Sequence, residues 1–523
     1  MEKELVIQVS AEEVEIALLE DKTVVEYHKD RREKRLSVGD VYLGTVTKIM
    51  AGLNAAFVDI GSERDAFLHF TDLGVHYNTF KRYAHLVRNR KFKNPLLKDF
   101  RYEESLVKTD QINNHIKAGD QFLVQVEKEP ISTKGARLSA EINIPGRYFI
   151  LSPFQSHVRL SKNIRTSSER KRILRLVESI KPANFGLIIR TAADGKKAAE
   201  LNQDLQNLVN KWKTLTSNLA KYGGKKARYV KVLQEEAKTK SLLRDILNDS
   251  FSKVVVNNKD FYEDIKSYTS NIAPGLEEKV EYYTNSKPLF DKYQVRRQIK
   301  AAFRPIFNLS RSSYLVIEKT EALYVVDVNS GNKVDASKSS EVNAFSVNMD
   351  AASAIARLLR LRDIGGIIII DFIDMRDPQH RKKVQEEMKK LMSKDKAKHT
   401  ILPLSRFGLM QITRQRVRPE LKVDTSESCP LCNGNGEVSS SILLIDEIET
   451  KLEGLFEDGE EGALNKLKLI CHPYVASHLK LGLFSKQRAW WWKHKKWIEV
   501  VSDESYYLTQ FNLYNKDGKL SLT

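Results

Sequence analysis

The sequence predicts a multidomain protein of mixed α/β and α+β class, with an OB-type barrel towards its N-terminal side. Three observations predict it. At 523 residues the chain is too long for one core, so roughly three to five domains are expected. From about 36 to 140, short alternating strands are punctuated by glycines, an all-β signal. From 303 to about 425, strands alternate with helices, and two of those strands run straight into an aspartate.

Taken in order, residues 1–35 read as a strand–turn–strand lead. In the barrel, Gly44-Thr45-Val46-Thr47-Lys48-Ile49, the run from Gly52 to Gly61 and Ala66-Phe67-Leu68-His69 put glycines at bends and aromatics at Phe57 and Phe67. Such barrels bind single strands by stacking bases on exposed aromatics in a basic groove, with Lys48, Arg64, Lys128 and Lys134 as the charge here. The plainer alternative buries both phenylalanines. A polar insertion at 76–115 carries Lys81, Arg82, Arg88, Arg90, Lys91 and Lys93. Residues 141–236 read as a mixed α/β unit whose strand Gly186-Leu187-Ile188-Ile189 ends at Arg190-Thr191. That pair suits a terminal phosphate, unless the arginine is merely paired to a surface acid. Leu201, Leu205, Leu208, Val209 and Trp212 form one helix face. Residues 237–302 read as a small α/β piece with a strand at Lys253-Val254-Val255-Val256. A helix near 341–361 packs through Ala351, Ile355, Leu358 and Leu359 and shows Arg357 and Arg360.

The two aspartates end Leu323-Tyr324-Val325-Val326-Asp327-Val328-Asn329 and Gly366-Ile367-Ile368-Ile369-Ile370-Asp371. The four isoleucines read as a strand buried on both faces, where a carboxylate is costly unless neutralised. Two such ends side by side make a site for a hard divalent cation such as Mg²⁺, and on a chain of formal charge +18 the partner of that metal is a phosphate. The alternative is a pair of aspartates capping the helices that follow.

Lys and Arg number 86 against 68 Asp and Glu, which favours a polyanion partner, nucleic acid before an anionic membrane surface. The N-terminus lacks a signal-peptide pattern and no apolar run reaches membrane-spanning length, so a cytoplasmic location is expected. Cys429, Cys432 and Cys471 make no disulfide framework. Cys429-Pro430-Leu431-Cys432 is half a zinc site. The same loop of a second chain completes it most simply; a redox pair, or a mononuclear site closed by Cys471 and His472, are the rivals. Residues 488–497 hold four of the five tryptophans among basic residues. They grip RNA or bury an oligomer interface, and a strand there would send alternate tryptophans inward. His28, His69, His157 and His380 have no partner at metal or triad spacing, and there is no Walker loop, dinucleotide fingerprint or nucleophile elbow.

The barrel pattern together with Arg190-Thr191-Ala192, Asp327-Val328-Asn329-Ser330, Leu361-Arg362-Asp363-Ile364-Gly365-Gly366, Asp371-Phe372-Ile373-Asp374-Met375, Ser405-Arg406-Phe407-Gly408-Leu409, Arg414-Gln415-Arg416 and Cys429-Pro430-Leu431-Cys432 resembles the ribonuclease E/G family, in that family's order over nearly the whole chain. The resemblance implies an S1-type RNA-binding OB barrel at 36–140, with the insertion 76–115, set within an RNase H-like and 5′-sensor region. A degenerate RNase H-like domain comes from 1–35 plus 237–302, and the 5′-sensor from 141–236. A DNase I-like catalytic domain at 303–425, a zinc-link at 426–440 and a small C-terminal oligomerisation domain at 441–523 follow. The implied activity is Mg²⁺-dependent cutting of single-stranded RNA to 5′-phosphate and 3′-hydroxyl ends, in ribosomal RNA processing and messenger RNA decay. Asp327 and Asp371 then hold the Mg²⁺ with help from Asn329, and Asp374 supports them. Phe57, Phe67, Lys128 and Lys134 bind RNA. Gly146, Ile150, Arg190 and Thr191 sense a 5′-monophosphate with Lys398, which stands where the family has an arginine and keeps the charge without the fork. Cys429 and Cys432 share Zn²⁺ between chains of a homodimer or a dimer-of-dimers tetramer. The chain stops soon after the small domain, without the long tail of ribonuclease E, and is therefore expected on the ribonuclease G side of the family. The rival of another class is a non-catalytic RNA-binding or assembly protein of the same fold; a deoxyribonuclease is a further one.

Overall fold

The computed structural model describes residues 2–31, 36–92, 94–98, 100–107, 110–130, 134–222, 228–309, 313–331, 339–416, 420–421, 432, 443–458, 467–515 and 518–519. The chain divides into two compact units, Met1–Val423 and Asp424–Thr523.

The first unit begins with Lys3–Val9, Glu13–Glu20 and Thr23–Arg31, three antiparallel strands. Lys3–Val9 also pairs in parallel with Phe251–Val256, which pairs with Val280–Tyr282. One sheet thus joins segments about 250 residues apart in sequence, so the lead is not an independent hairpin. Alternation decides its two faces. Leu5, Ile7 and Val254 meet Leu243 and Ile265 of the helices Lys238–Ile246 and Lys259–Ile272. Val6, Ala17, Leu19 and Val24 share a core with the helix Ser340–Leu361. Arg357 and Arg360 of that helix do not face solvent as expected. Arg360 bridges Glu20 at 3.4 Å and Glu26 at 3.0 Å, and Arg357 donates to the Val24 carbonyl at 2.8 Å. The sheet supplies their partners, and a single helix's pattern carries no trace of it.

Five strands close the barrel in the order Val41–Met50, Ala55–Asp59, Ala66–His69, Arg137–Ser139, Gln121–Lys128, and back to Val41–Met50. Val46, Val58, Leu68, Phe122 and Leu138 fill it. The insertion is more than a polar loop. Its helix Tyr77–Arg88 buries Phe80 and Tyr83 in an aromatic cluster with Phe92, Phe100, Phe154 and Trp212. Trp212 lies on the helix Ala198–Lys221, whose inner face is the expected one, and its indole N–H donates to the Pro95 carbonyl at 2.8 Å. Two of the insertion's cations are spent locally, Lys81 on Asp120 at 2.7 Å and Arg82 on Glu103. Lys93 lies outside the described residues. Beneath this cluster the strands Ile144–Pro145, Phe149–Pro153, Phe185–Ile189 and Val158–Leu160 form a four-stranded sheet.

The last part of the first unit is a six-stranded sheet: Ile306–Asn308, Tyr314–Lys319, Leu323–Asn329, Gly366–Asp371, Leu409–Arg414, His399–Ile401. Leu323–Asn329 and Gly366–Asp371 run parallel, with Ser340–Leu361 as the crossover helix such a pair needs. The isoleucine strand is not buried on both faces. Ile368 and Ile370 are fully enclosed by the helix side, Ile369 is half-buried and Ile367 is 49% exposed. Helices cover one face only, so period-two alternation holds beneath an unbroken apolar run.

In the second unit, Lys468–Cys471 pairs with Glu499–Ser502 and Phe511–Asn515, and Gly518–Lys519 extends the sheet. The tryptophan-rich segment is not a strand but the helix Lys486–His494, capped by the Ser485 hydroxyl and ended by Lys495 in the left-handed region. Of its tryptophans only Trp490 turns inward, donating to Glu449 at 3.1 Å. Among the described residues no helix is long and apolar enough to cross a membrane.

Candidate active site

Asp327 and Asp371 are direct register partners on the two parallel strands. In both strands the helix-facing residues are Val326, Val328, Ile368 and Ile370, so alternation turns both carboxylates to the open face at the strands' C-terminal ends. Asn329, two residues on and on the same face, donates from Nδ2 to Asp327 Oδ2 at 2.8 Å, which fixes one carboxylate oxygen. Desolvation raises the pKa of Asp371 above the usual carboxylate range, and the charges of Asp327 and then Asp374 raise it further. Like charges concentrated at one sheet end are what a divalent cation relieves, so the residues fit Mg²⁺. Among the described residues no group of three or more His, Cys, Asp or Glu side chains is placed to hold a metal. The two aspartates thus leave most coordination positions to water and substrate oxygens, as Mg²⁺ prefers.

The loop after Asp371 is tied down on both sides. Asn348, fully buried, accepts from the Ile373 N–H at 3.0 Å and donates to its carbonyl at 2.8 Å. Glu341 accepts from the backbone N–H of Arg376 at 2.9 Å and from His380 at 2.9 Å, which lowers its pKa. His380 is thus a supporting residue with a partner. From the other side, Gly408 has φ +76°, and a Cβ there would lie 3.0 Å from Phe372 O and 3.2 Å from Asp374 Oδ1. Its neighbour Phe407 is largely exposed at the site's rim.

Across the barrel, Lys48, Phe57, Phe67, Arg137 and Lys128 are successive register partners, so they form one row on one outer face. The rings of Phe57 and Phe67 meet edge-on at 6.0 Å, half-buried rather than in the core. Arg137 is gripped by Asp72 at 2.9 and 3.0 Å. Lys128, Arg64 and Lys134 are exposed.

Around Arg190 the structure brings Gly146 and Thr191 together. Arg190 Nη1 donates to the Gly146 carbonyl and to Asp245, each at 2.7 Å, and its N–H bonds the Tyr148 carbonyl at 2.8 Å. Thr191 shares a hydroxyl bond with Ser161 at 2.9 Å. The Gly146 N–H is bonded to Phe149 O at 2.7 Å, and Asp204 takes the N–H groups of Arg147, Tyr148 and Phe149. A Cβ on Gly146 would lie 2.8 Å from Asp204. Ile150 is half-buried on the adjacent strand. Lys398 is exposed beside the six-stranded sheet, and among the described residues no hydrogen bond or ion pair joins it to Arg190 or Thr191. Cys429 lies outside the described residues; Cys432 is half-exposed. Cys471 is buried in the second unit's sheet, which pushes its thiol up to about 11 and makes it a poor thiolate ligand for the mononuclear alternative.

Residues 143–417 match the Ribonuclease E/G family. The chain is 36% identical over 437 residues to Ribonuclease G of Haemophilus influenzae, covering 84% of each chain. It is 34% identical over 440 residues to Ribonuclease G of Escherichia coli K12, covering 84% of this chain and 85% of that one. The chain belongs to the ribonuclease E/G family. Ribonuclease E of a Nostoc species is 33% identical over 421 residues, covering 79% of this chain and 56% of that one. In this ribonuclease E/G family member, sequence reasoning missed Asn348, Glu341 and Arg137 as supporting groups. Only the helix position of Asn348, on a buried face among alanines, offered a signal. Phe407 and Gly408 belong to the motif Ser405–Leu409, and the structure places Gly408 against Phe372 O and Asp374 Oδ1. Arg414, from the motif Arg414-Gln415-Arg416, is structural: it pairs with buried Asp395 at 2.6 Å and donates to Ile364 O at 2.9 Å.

Proposed function

We propose that this endoribonuclease cuts single-stranded RNA at Asp327 and Asp371, leaving 5′-phosphate and 3′-hydroxyl ends. The observation that carries the reading is the direct pairing of the two aspartates, with Asp374 close enough to raise the pKa of Asp371. Bound there, Mg²⁺ supplies Lewis acidity to the phosphorus under attack by water. The protein does the rest. Asp327 and Asp371 hold the cation, Asn329 fixes the angle of Asp327, and Asn348 with Glu341 keeps the Asp374 loop from drifting. Phe407 offers a ring to a base next to the scissile phosphate. A pure binder gains nothing from pairing two carboxylates where a polyanion must approach. Matched RNA and DNA strands test the substrate class, because a 2′-deoxy strand cut equally well would make the chain a general nuclease.

The barrel row binds the strand ahead of the cut. Stacking is worth about 1–3 kcal/mol per base, so losing two rings in Phe57→Ala with Phe67→Ala raises KM by roughly thirtyfold to ten-thousandfold and leaves kcat little changed. Unchanged KM in steady-state kinetics would move the binding surface elsewhere.

Arg190 and Thr191 receive a 5′-monophosphate, for which the phosphate must compete with Asp245. Arg190→Ala therefore abolishes preference for 5′-monophosphorylated over 5′-hydroxyl RNA, whereas Asp245→Asn increases it. Rates on the two substrates decide the point, and a preference lost in both variants would contradict the competition. We further propose that Zn²⁺ is shared through Cys429 and Cys432 of two chains, giving a homodimer or a dimer of dimers. Ribosomal RNA precursors and messenger RNA are the proposed substrates and the cytoplasm the proposed location.

A further inference from the structure

The second unit carries an exposed apolar and basic surface that includes none of the residues of the proposed cleavage site. The loop before the helix Lys486–His494 exposes Leu481 by 73%, Leu483 by 80% and Phe484 by 99%. Trp491 and Trp492 lie on the helix's outer side, and Trp497 follows it; all three are exposed. Arg488 donates to the Leu483 carbonyl at 3.2 Å, which ties loop and helix into one face, and Lys495 sits 5.3 Å over the Trp492 ring. Between residues 472 and 498 the sequence has six Lys and Arg and no Asp or Glu, and two of the six, Lys486 and Lys493, pair with Glu449 and Glu453 of the helix Leu444–Asp458.

We propose that this face docks on an anionic lipid surface. Three features select that occupant. Arg488 and Lys495, set among apolar side chains and apart from the Glu449 and Glu453 that pair with Lys486 and Lys493, complement anionic headgroups, whereas a second copy placed face to face would oppose cation to cation. Indoles prefer the boundary between headgroup and acyl chain, and lysines beside them reach back to the phosphates. Two leucines at the loop tip have no ring for a base to stack on, but they gain by entering hydrocarbon, as does Phe484. The helix lies in the interface and does not span it.

Tryptophan emission reads the surface directly, because Trp212 and Trp490 are buried and the other three are exposed. The full chain is mixed with vesicles of phosphatidylcholine containing phosphatidylglycerol, with and without brominated acyl chains, at physiological ionic strength. The expected result is a blue shift and quenching by the brominated chains. Leu483→Ser with Phe484→Ser removes two apolar anchors at unchanged charge, so it weakens partitioning by at least about tenfold while RNA cleavage stays as before. Adsorption without quenching would overturn the proposal, since the basic surface alone would then explain it. So would a self-association abolished by the same double substitution, or an emission shift produced by single-stranded RNA and not by vesicles.

Discussion

In the Asp327→Asn protein, cleavage of a 5′-monophosphorylated single-stranded RNA in Mg²⁺ falls by about a thousandfold, because losing a cation ligand forfeits several kcal/mol of transition-state stabilisation. RNA binding is retained or strengthened, since one negative charge leaves the path of a polyanion. Asp327 is exposed and its carboxylate accepts from Asn329, so folding is unaffected. The substitution also has a local signature. Desolvation and then the charge of Asp327 raise the pKa of Asp371, so removing that charge lowers the value. Rapid-quench cleavage, filter binding and carboxyl titration by NMR measure the three. Removing Mg²⁺ with a chelator stops the native protein in the same way. Equal cutting by both proteins would move the chemistry away from this pair. No cutting by either, with binding intact, would put the non-catalytic reading first.

What the sequence disclosed about this site was its pair of strand-end carboxylates, and what it concealed was their support. Two strands ending in aspartate are local patterns, and so is the inner face of the Trp212 helix; both stand where they were expected. The open sheet face is another matter. Whether Ile367 is covered depends on where two helices pack, and a run of four isoleucines reads the same either way. Arg357 and Arg360 looked like a solvent face because their partners, Val24 O and the carboxylates of Glu20 and Glu26, are more than 300 residues away. Asn348 acts on a backbone segment 25 residues on, and nothing in its neighbours announces that. Tertiary partners, unlike periodicity, leave no local mark. The tryptophan-rich helix shows the same limit from the side of secondary structure. Its residues favour strands as readily as helices, and the Ser485 cap with the Lys495 stop decides the outcome.

Trp212→Ala destabilises the first unit by about 3–5 kcal/mol, the cost of emptying a large aromatic site in a close-packed core. Trp212 is fully buried, stacks on Tyr83 with centroids 5.6 Å apart and holds the insertion by its bond to Pro95. The cavity therefore opens where the barrel's insertion meets the four-stranded sheet whose strand Phe185–Ile189 leads to Arg190, and the consequence is mechanical as well as thermodynamic. With that anchor gone, the row of Phe57 and Phe67 no longer keeps a fixed distance from Arg190. Preference for a 5′-monophosphate then weakens on RNAs that must engage both, while kcat on a short 5′-hydroxyl RNA is preserved because Asp327 and Asp371 lie in another sheet. Trp212→Phe separates the two contributions. It keeps an aromatic ring in the core and loses the Pro95 bond, so it costs less than the alanine, with about 1–3 kcal/mol due to the unpaired carbonyl. Hydrogen exchange across 77–100 reads the loosening, and denaturant unfolding reads the stability. If exchange there were unchanged in Trp212→Ala, the insertion would be held by Phe80 and Tyr83 alone, and the coupling of the barrel to the Arg190 region would have to run through Val230–Leu233, the strand that extends the barrel's sheet.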